Sequence, residues 1–322
     1  MTKSIAKFSI VSVLLLLTVP LTAQWKADRT AWGDPDLQGM WTNETVTPFE
    51  RPPQYRDKAF LTKAEAAKIA VDIAKRRAAA DGKAIAGKVG SYNQIWMDSG
   101  DGYLPSLQTS LVVEPADGIV PTRASAVATR DYNRAHEGDH YKHMSVWDRC
   151  ITRGVPGSMF PAGYNNAYRF VQIPGYVVIL YEMIHDVRII PLTDRPHLPE
   201  NIRLWMGDSR GHWEGDTLVV DVTNFTDKGW IANNGASRRI KGIPQSEKLN
   251  VVERFTPVDG GTMRYEVTIT DPEMYTAPWK VSMPLTRDPD YQIYEYACQE
   301  GNTAVGLILS GARADEAASK EQ

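Results

Sequence analysis

Two short stretches of this 322-residue chain hold the side chains that move protons and steady anions. Glu182, His185, Asp186 and Arg188 form one; Asp208, Ser209, Arg210, His212, Glu214 and Asp216 form the other and are the densest polar run in the sequence. Each combines carboxylate, imidazole and guanidinium, which can supply a base, a proton shuttle and a fixed positive charge for a developing anion. Glu182, His185, Asp208 and Arg210 are therefore the candidate catalytic residues: Glu182 or His185 as base, Arg210 facing developing negative charge. Tyr181, Trp205, His212, Tyr294 and Tyr296 are the candidates for holding a ligand, with Tyr and Trp faces suited to a ring. The alternative is that both clusters are solvated hairpin ends with local ion pairs.

Other motifs are less informative. Gly207-Asp208-Ser209-Arg210-Gly211 matches G-x-S-x-G, but a nucleophile elbow needs a strand running into a helix. Here a turn and another strand-like run, Thr217–Val222, follow, so a polar hairpin loop is expected. His136, Asp139, His140 and His143 lie close together, yet Gly138 breaks the helix that would align them, and no metal site is assigned. No motif calls for a cofactor. Asn43-Glu44-Thr45 and Asn224-Phe225-Thr226 match the glycosylation pattern, which has meaning only in a eukaryotic secretory route.

The elements that must position these residues are mostly strands. From Tyr168 to Glu300 short apolar runs alternate with turn residues. Tyr168–Ile173 and Tyr176–Glu182 flank Pro174-Gly175 as a hairpin. Val187–Leu192, Arg203–Met206, Thr217–Phe225, Lys248–Phe255, Met263–Thr270, Trp279–Leu285 and Tyr291–Cys298 read as further strands. In Met263–Thr270 the apolar residues Met263, Tyr265, Val267 and Ile269 alternate with polar ones, which predicts one buried and one wet face. In Tyr291–Cys298 the residues Tyr294, Tyr296 and Cys298 share a face, fitting a pocket wall or ordinary core. Upstream, Leu37–Trp41 and Ser110–Val113 read as strands. Thr62-Lys63-Ala64-Glu65 is a capping box opening a helix to about Ala80, and a second helix is expected near 123–136. The tail is expected to be helical from Thr303.

Lys3 and Lys7, the apolar run Phe8–Leu21 and the small Ala23 form a secretory signal pattern with cleavage expected near Ala23. Pro20 ends the run short of a membrane span, so the mature chain is expected in the periplasm or medium without stable membrane insertion. The chain carries 36 Lys and Arg against 39 Asp and Glu, a net charge of −3; loss of Lys3 and Lys7 takes it to −5. Such a balance disfavours a nucleic-acid surface. The two cysteines, Cys150 and Cys298, can pair in an oxidising compartment, closing a loop worth on the order of 4–5 kcal/mol in the chain-entropy account.

Four segments, 35–41 (Pro-Asp-Leu-Gln-Gly-Met-Trp), 149–157 (Arg-Cys-Ile-Thr-Arg-Gly-Val-Pro-Gly), 181–191 and 207–220, resemble those of a widespread group of exported bacterial proteins. That resemblance covers most of the mature chain and implies no particular activity. More remotely, Gly39-Met40-Trp41 looks like the G-x-W that opens the first strand of lipocalins, although more than a hundred residues separate Trp41 from the main strand series.

The expected fold is mainly β with an α-helical N-terminal portion: an antiparallel meander closing into a lipocalin-like barrel, or a β-sandwich. The expected division is a leader at 1–23, a strand, helices and loops at 24–160, the barrel at 161–300 and a tail at 301–322. Two functions are in view: an exported, cofactor-independent hydrolase, lyase or isomerase acting at a barrel mouth on a small, ring-containing substrate, and a carrier enclosing an apolar small molecule. Both presuppose a hollow barrel.

Overall fold

A computed structural model describes residues 25–80, 97–98 and 100–320; the leader region lies outside the described residues. Strands β1 (Gly39–Thr42), β3 (Ala167–Ile173), β4 (Tyr176–Tyr181), β5 (Val187–Pro191), β6 (Asp208–Glu214), β7 (Thr217–Thr223), β8 (Asn250–Asp259), β9 (Thr262–Thr270) and β10 (Trp279–Arg287) form one antiparallel sheet. Its order is β5-β4-β3-β1-β10-β9-β8-β7-β6, and β2 (Val112–Glu114) pairs with β10 beside β1. The two ends of the sheet almost meet. Leu192, just past β5, bridges Gly211 of β6 in parallel, and Thr193 N–H donates to the Gly211 carbonyl at 3.1 Å. The result is a nearly closed nine-stranded barrel, which leaves little unpaired strand edge. A glycine is required at this seam, because a Cβ on Gly211 would lie 2.9 Å from both Ile190 and Leu192.

Most strands form for the reason that the alternation predicts. Along β9, Met263, Tyr265, Val267 and Ile269 are buried while Arg264, Glu266, Thr268 and Thr270 are not. Leu218, Val220 and Val222 of β7, Val251 and Phe255 of β8, and Val281 and Leu285 of β10 repeat the pattern at 0 % exposure. Each large apolar side chain so buried contributes about 1.5–3 kcal/mol. The hairpin at Pro174-Gly175 forms as expected, with Gly175 at φ +82°. Helices α1 (Lys63–Ala80), α2 (Ala124–Ala135) and α3 (Ala304–Lys320) lie outside the barrel wall. The capping box is in place: Glu65 N–H donates to Thr62 Oγ1 at 3.2 Å, and Thr62 N–H to Glu65 Oε2 at 2.8 Å.

Four expectations change. The interior is not hollow: inward side chains from every long strand show essentially no exposure, so no void admits water there. Both ends are closed as well. Leu37 and Gln172 seal one, through Leu37 N–H to Gln172 Oε1 at 2.6 Å; Phe49, Phe160 and Trp279 pack edge-on at the other. Second, β1 sits between β3 and β10, so the barrel takes in part of the segment expected to pack on it. Third, Arg203–Met206 and Tyr291–Cys298 are not strands. Strand β10 already has β9 on one side and β1 with β2 on the other, so no edge is left there for 291–298 to join. Fourth, the G-x-S-x-G stretch is strand β6, not a loop; the turn falls at Gly215-Asp216.

Inside the barrel lies a charged cluster. Arg188 Nη1 stands 2.5 Å from Glu253 Oε2, both essentially buried. Tyr265 OH donates to Glu253 Oε1 at 2.9 Å, and Arg188 Nε to Ser209 Oγ at 3.0 Å. Tyr181 packs on the same pair, and burial above all pushes its hydroxyl up to about 12. A buried pair of this kind survives because the charges neutralise one another and find further hydrogen bonds.

Candidate functional site

The strand directions bring both sequence clusters to one end of the barrel. Strands β5 and β6 run parallel across the seam, so Glu182, at the end of β4, and Asp208, at the start of β6, lie at the same end. They nevertheless face different surroundings and line no cavity in common.

Glu182 opens the turn between β4 and β5. The turn is strained: Ile184 has φ +64° and His185 φ +46°, a region that β-branched residues seldom occupy and that costs on the order of 1–3 kcal/mol. Burial holds it there. Met183 and Ile184 pack with Ala162 into a small apolar cluster covered by Trp147, Tyr164, Tyr296 and the disulfide. The segment 291–302 crosses this turn as a strap. The strap is tied by the Cys150–Cys298 disulfide, as expected, by Tyr291 OH donating to Glu182 Oε1 at 2.7 Å, and by His185 Nδ1 donating to the Tyr296 carbonyl at 2.6 Å. Between turn and strap lies a cavity of about 970 Å³, lined by Asp98, Trp147, Tyr164, Glu182, Tyr291 and Tyr296 among others.

Glu182 is 1 % exposed, and its Oε2 has no hydrogen-bond partner among the described residues. A buried, partnerless carboxylate oxygen is costly in an ordinary core. Tyr291 keeps its proton more firmly than a free phenol, first through burial and then through its hydrogen bond to Glu182. Oε1 is thereby fixed, while Oε2, itself shielded from solvent, has no hydrogen-bond partner among the described residues.

Asp208 and Arg210 lie on the outer face of β6, since Ser209 and Gly211 point inward. Arg210 Nη1 donates to Asp208 Oδ1 at 2.6 Å. His197, absent from the sequence-based candidates, stands between two carboxylates: Nδ1 is 2.8 Å from Asp208 Oδ2 and Nε2 is 3.0 Å from Asp221 Oδ2. Leu198 N–H donates to Asp208 Oδ2 at 3.0 Å and Asn250 Nδ2 to Asp221 Oδ1 at 2.6 Å. Every oxygen of the two aspartates is therefore engaged. A polar groove of about 860 Å³ runs beside His197.

The remaining candidates separate in the same way. Tyr294 and Tyr296 line the Glu182 cavity. Tyr181 faces the filled interior and lines neither cavity. His212 lies on the outer surface toward the opposite end, against Glu214 at 3.4 Å. Trp205 is half-buried in the loop before β6 and lines neither cavity. His185 positions the strap and does not meet the free oxygen of Glu182. Sequence reasoning missed Tyr291 and Trp147, although the tyrosine-rich run 291–296 and the proximity of Trp147 to Cys150 were legible signals.

Among the described residues no three His, Cys, Asp or Glu gather as metal ligands. His136 stacks on Tyr132 and His143 Nδ1 meets Asn133 Oδ1 at 2.8 Å. Asn43 and Asn224 are buried and hydrogen-bonded to main-chain carbonyls, which excludes them as glycan acceptors in the folded chain. None of the protein-family models matches the chain, and neither a curated protein nor a solved structure matches it.

Proposed function

We propose that the protein is an exported acid–base enzyme acting on a small, ring-bearing substrate in the groove between the 182–185 turn and the 291–302 strap. Glu182 is the base. Tyr291 holds Oε1, and once the exposed strap shifts to uncover Oε2 the carboxylate takes a proton from the substrate, or from a water attacking it, and returns that proton later in the cycle. Proton transfer by a positioned carboxylate of this kind contributes typically about 10²–10⁴-fold, and the reaction lies among hydrolyses, eliminations and isomerisations. Trp147, Tyr294 and Tyr296 hold the ring. Asp208 and Arg210 have no part in the chemistry.

The observation that carries this reading is a buried Glu182 in the wall of an aromatic cavity, its Oε2 without a partner among the described residues. Strain in the adjoining turn supports it, because such backbone outliers concentrate at working sites. The filled barrel removes the main support for an apolar carrier. Export is supported by the Cys150–Cys298 bridge, and among the described residues no helix is long and apolar enough to cross a membrane.

The test is depletion of a small-molecule extract, followed by mass spectrometry, with wild type and Glu182→Gln in parallel. A compound consumed by wild type and spared by the variant is the expected result. Equal consumption by both removes Glu182 as the base.

A further inference from the structure

The lining of the Glu182 groove carries a charge signature that narrows its substrate class, an inference resting on the small-molecule reading above. Five carboxylates line it, Asp98, Asp148, Glu182, Glu295 and Glu300, and among the described residues no Lys, Arg or His does. None of the five forms an ion pair within the described residues. Asp98 is held by the Asn166 amide and Asp148 by Ser145. The buried guanidinium of Arg153 interacts with Tyr164 and Tyr296 from outside the lining and gives its Nη2 hydrogen to the Phe160 carbonyl. His185 is likewise turned to the strap's main chain.

Asp148 feels the neighbouring Arg149, but carboxylates in excess beside aromatic faces are the complement of a positive charge: the carboxylates attract it through space, and the ring faces hold it by cation–π contact. We propose that the groove takes an organic cation, a small ring-bearing amine or ammonium, whose charge meets Glu182 and whose body lies against Trp147, Tyr294 and Tyr296. A cationic centre also eases removal of a neighbouring proton, so charge recognition and the base act on the same end of the substrate. Asp98 of the lining also acts on Glu44, outside it. Burial first, and then the charges of Asp98, Asp288 and Asp101, raise the Glu44 carboxyl.

Titration calorimetry of the mature chain at low salt, with benzylammonium, benzyl alcohol and benzoate as probes, tests this without knowledge of the natural substrate. Benzylammonium is expected to bind about tenfold more tightly than benzyl alcohol, the size of a moderate cation–π and charge contribution, with benzoate weakest. Salt should erode the preference. Glu182→Gln should largely abolish it, and Tyr294→Ala, a change at a residue 69 % exposed and so harmless to folding, should reduce it. Benzoate binding as well as benzylammonium, or a preference untouched by Glu182→Gln, overturns the inference. A Glu182-dependent preference in a protein that consumes nothing leaves the inference standing and removes the enzyme. No binding by any probe removes both.

Discussion

The two acidic clusters at one end of the barrel are alike in composition and opposite in state. Around His197, Asp208 and Asp221 have all four carboxylate oxygens taken by Arg210, the imidazole, Leu198 N–H and Asn250. In the groove, Glu182 has one oxygen held by Tyr291 and one without a partner among the described residues. Chemistry needs a group with capacity to spare, whereas a saturated network fixes structure. Composition cannot distinguish these states. Hydrogen-bond partners can.

The largest effect that sharpens the contrast is Glu182→Gln, which should lower turnover by about 10²–10⁴-fold while leaving the urea midpoint unchanged or slightly raised, as expected when a buried carboxylate with an unsatisfied oxygen becomes neutral. Loss of the disulfide comes next. The bridge spans 148 residues, and Cys150→Ser with Cys298→Ser should lower unfolding stability by about 4–5 kcal/mol at most in the chain-entropy account. It should also weaken groove binding by loosening the strap, and leave the His197 cluster intact by NMR. Asp208→Asn should cost about 1–3 kcal/mol in chemical denaturation with no change in groove binding. A loss of binding there would erase the contrast.

The smallest effect lies at α1. Thr62→Ala should cost about 1 kcal/mol. The Lys58 ammonium, ahead of the cap hydrogen bonds, holds the Glu65 carboxyl down at about 2 against an ordinary 4.5. Because the folded state favours the ionised form, this contribution is complete above pH 4.5 and lost as pH falls toward 2. Helicity followed by circular dichroism through that range should be less pH-sensitive in Thr62→Ala.

Much of the fold was legible because one face of each strand is apolar. Strands β3, β4, β5, β7, β8, β9 and β10 fell where alternation and turn residues put them. Strand β6 was hidden: its inward residues include Gly211, where the seam with Ile190 and Leu192 has no room for a side chain, and Ser209, which accepts a hydrogen bond from the buried Arg188. The strap 291–298 misled in the other direction, since its alternating tyrosines serve a groove wall and not a sheet. The place of β1 between β3 and β10 depends on pairings more than a hundred residues apart, which no local pattern encodes. Glu182, Tyr294 and Tyr296, singled out from composition, do line one cavity, and the two cysteines do pair. His197 was missed because its partners lie 11 and 24 residues away in a Pro-rich loop without period. The solid interior was missed because alternation reports which face is buried, not whether opposing faces meet.

The most direct measurement is benzylammonium affinity in wild type, Glu182→Gln and Asp208→Asn under identical low-salt conditions. The account predicts that affinity falls about tenfold in Glu182→Gln and is unchanged in Asp208→Asn. Equal affinity in all three proteins, or a loss confined to Asp208→Asn, would contradict it.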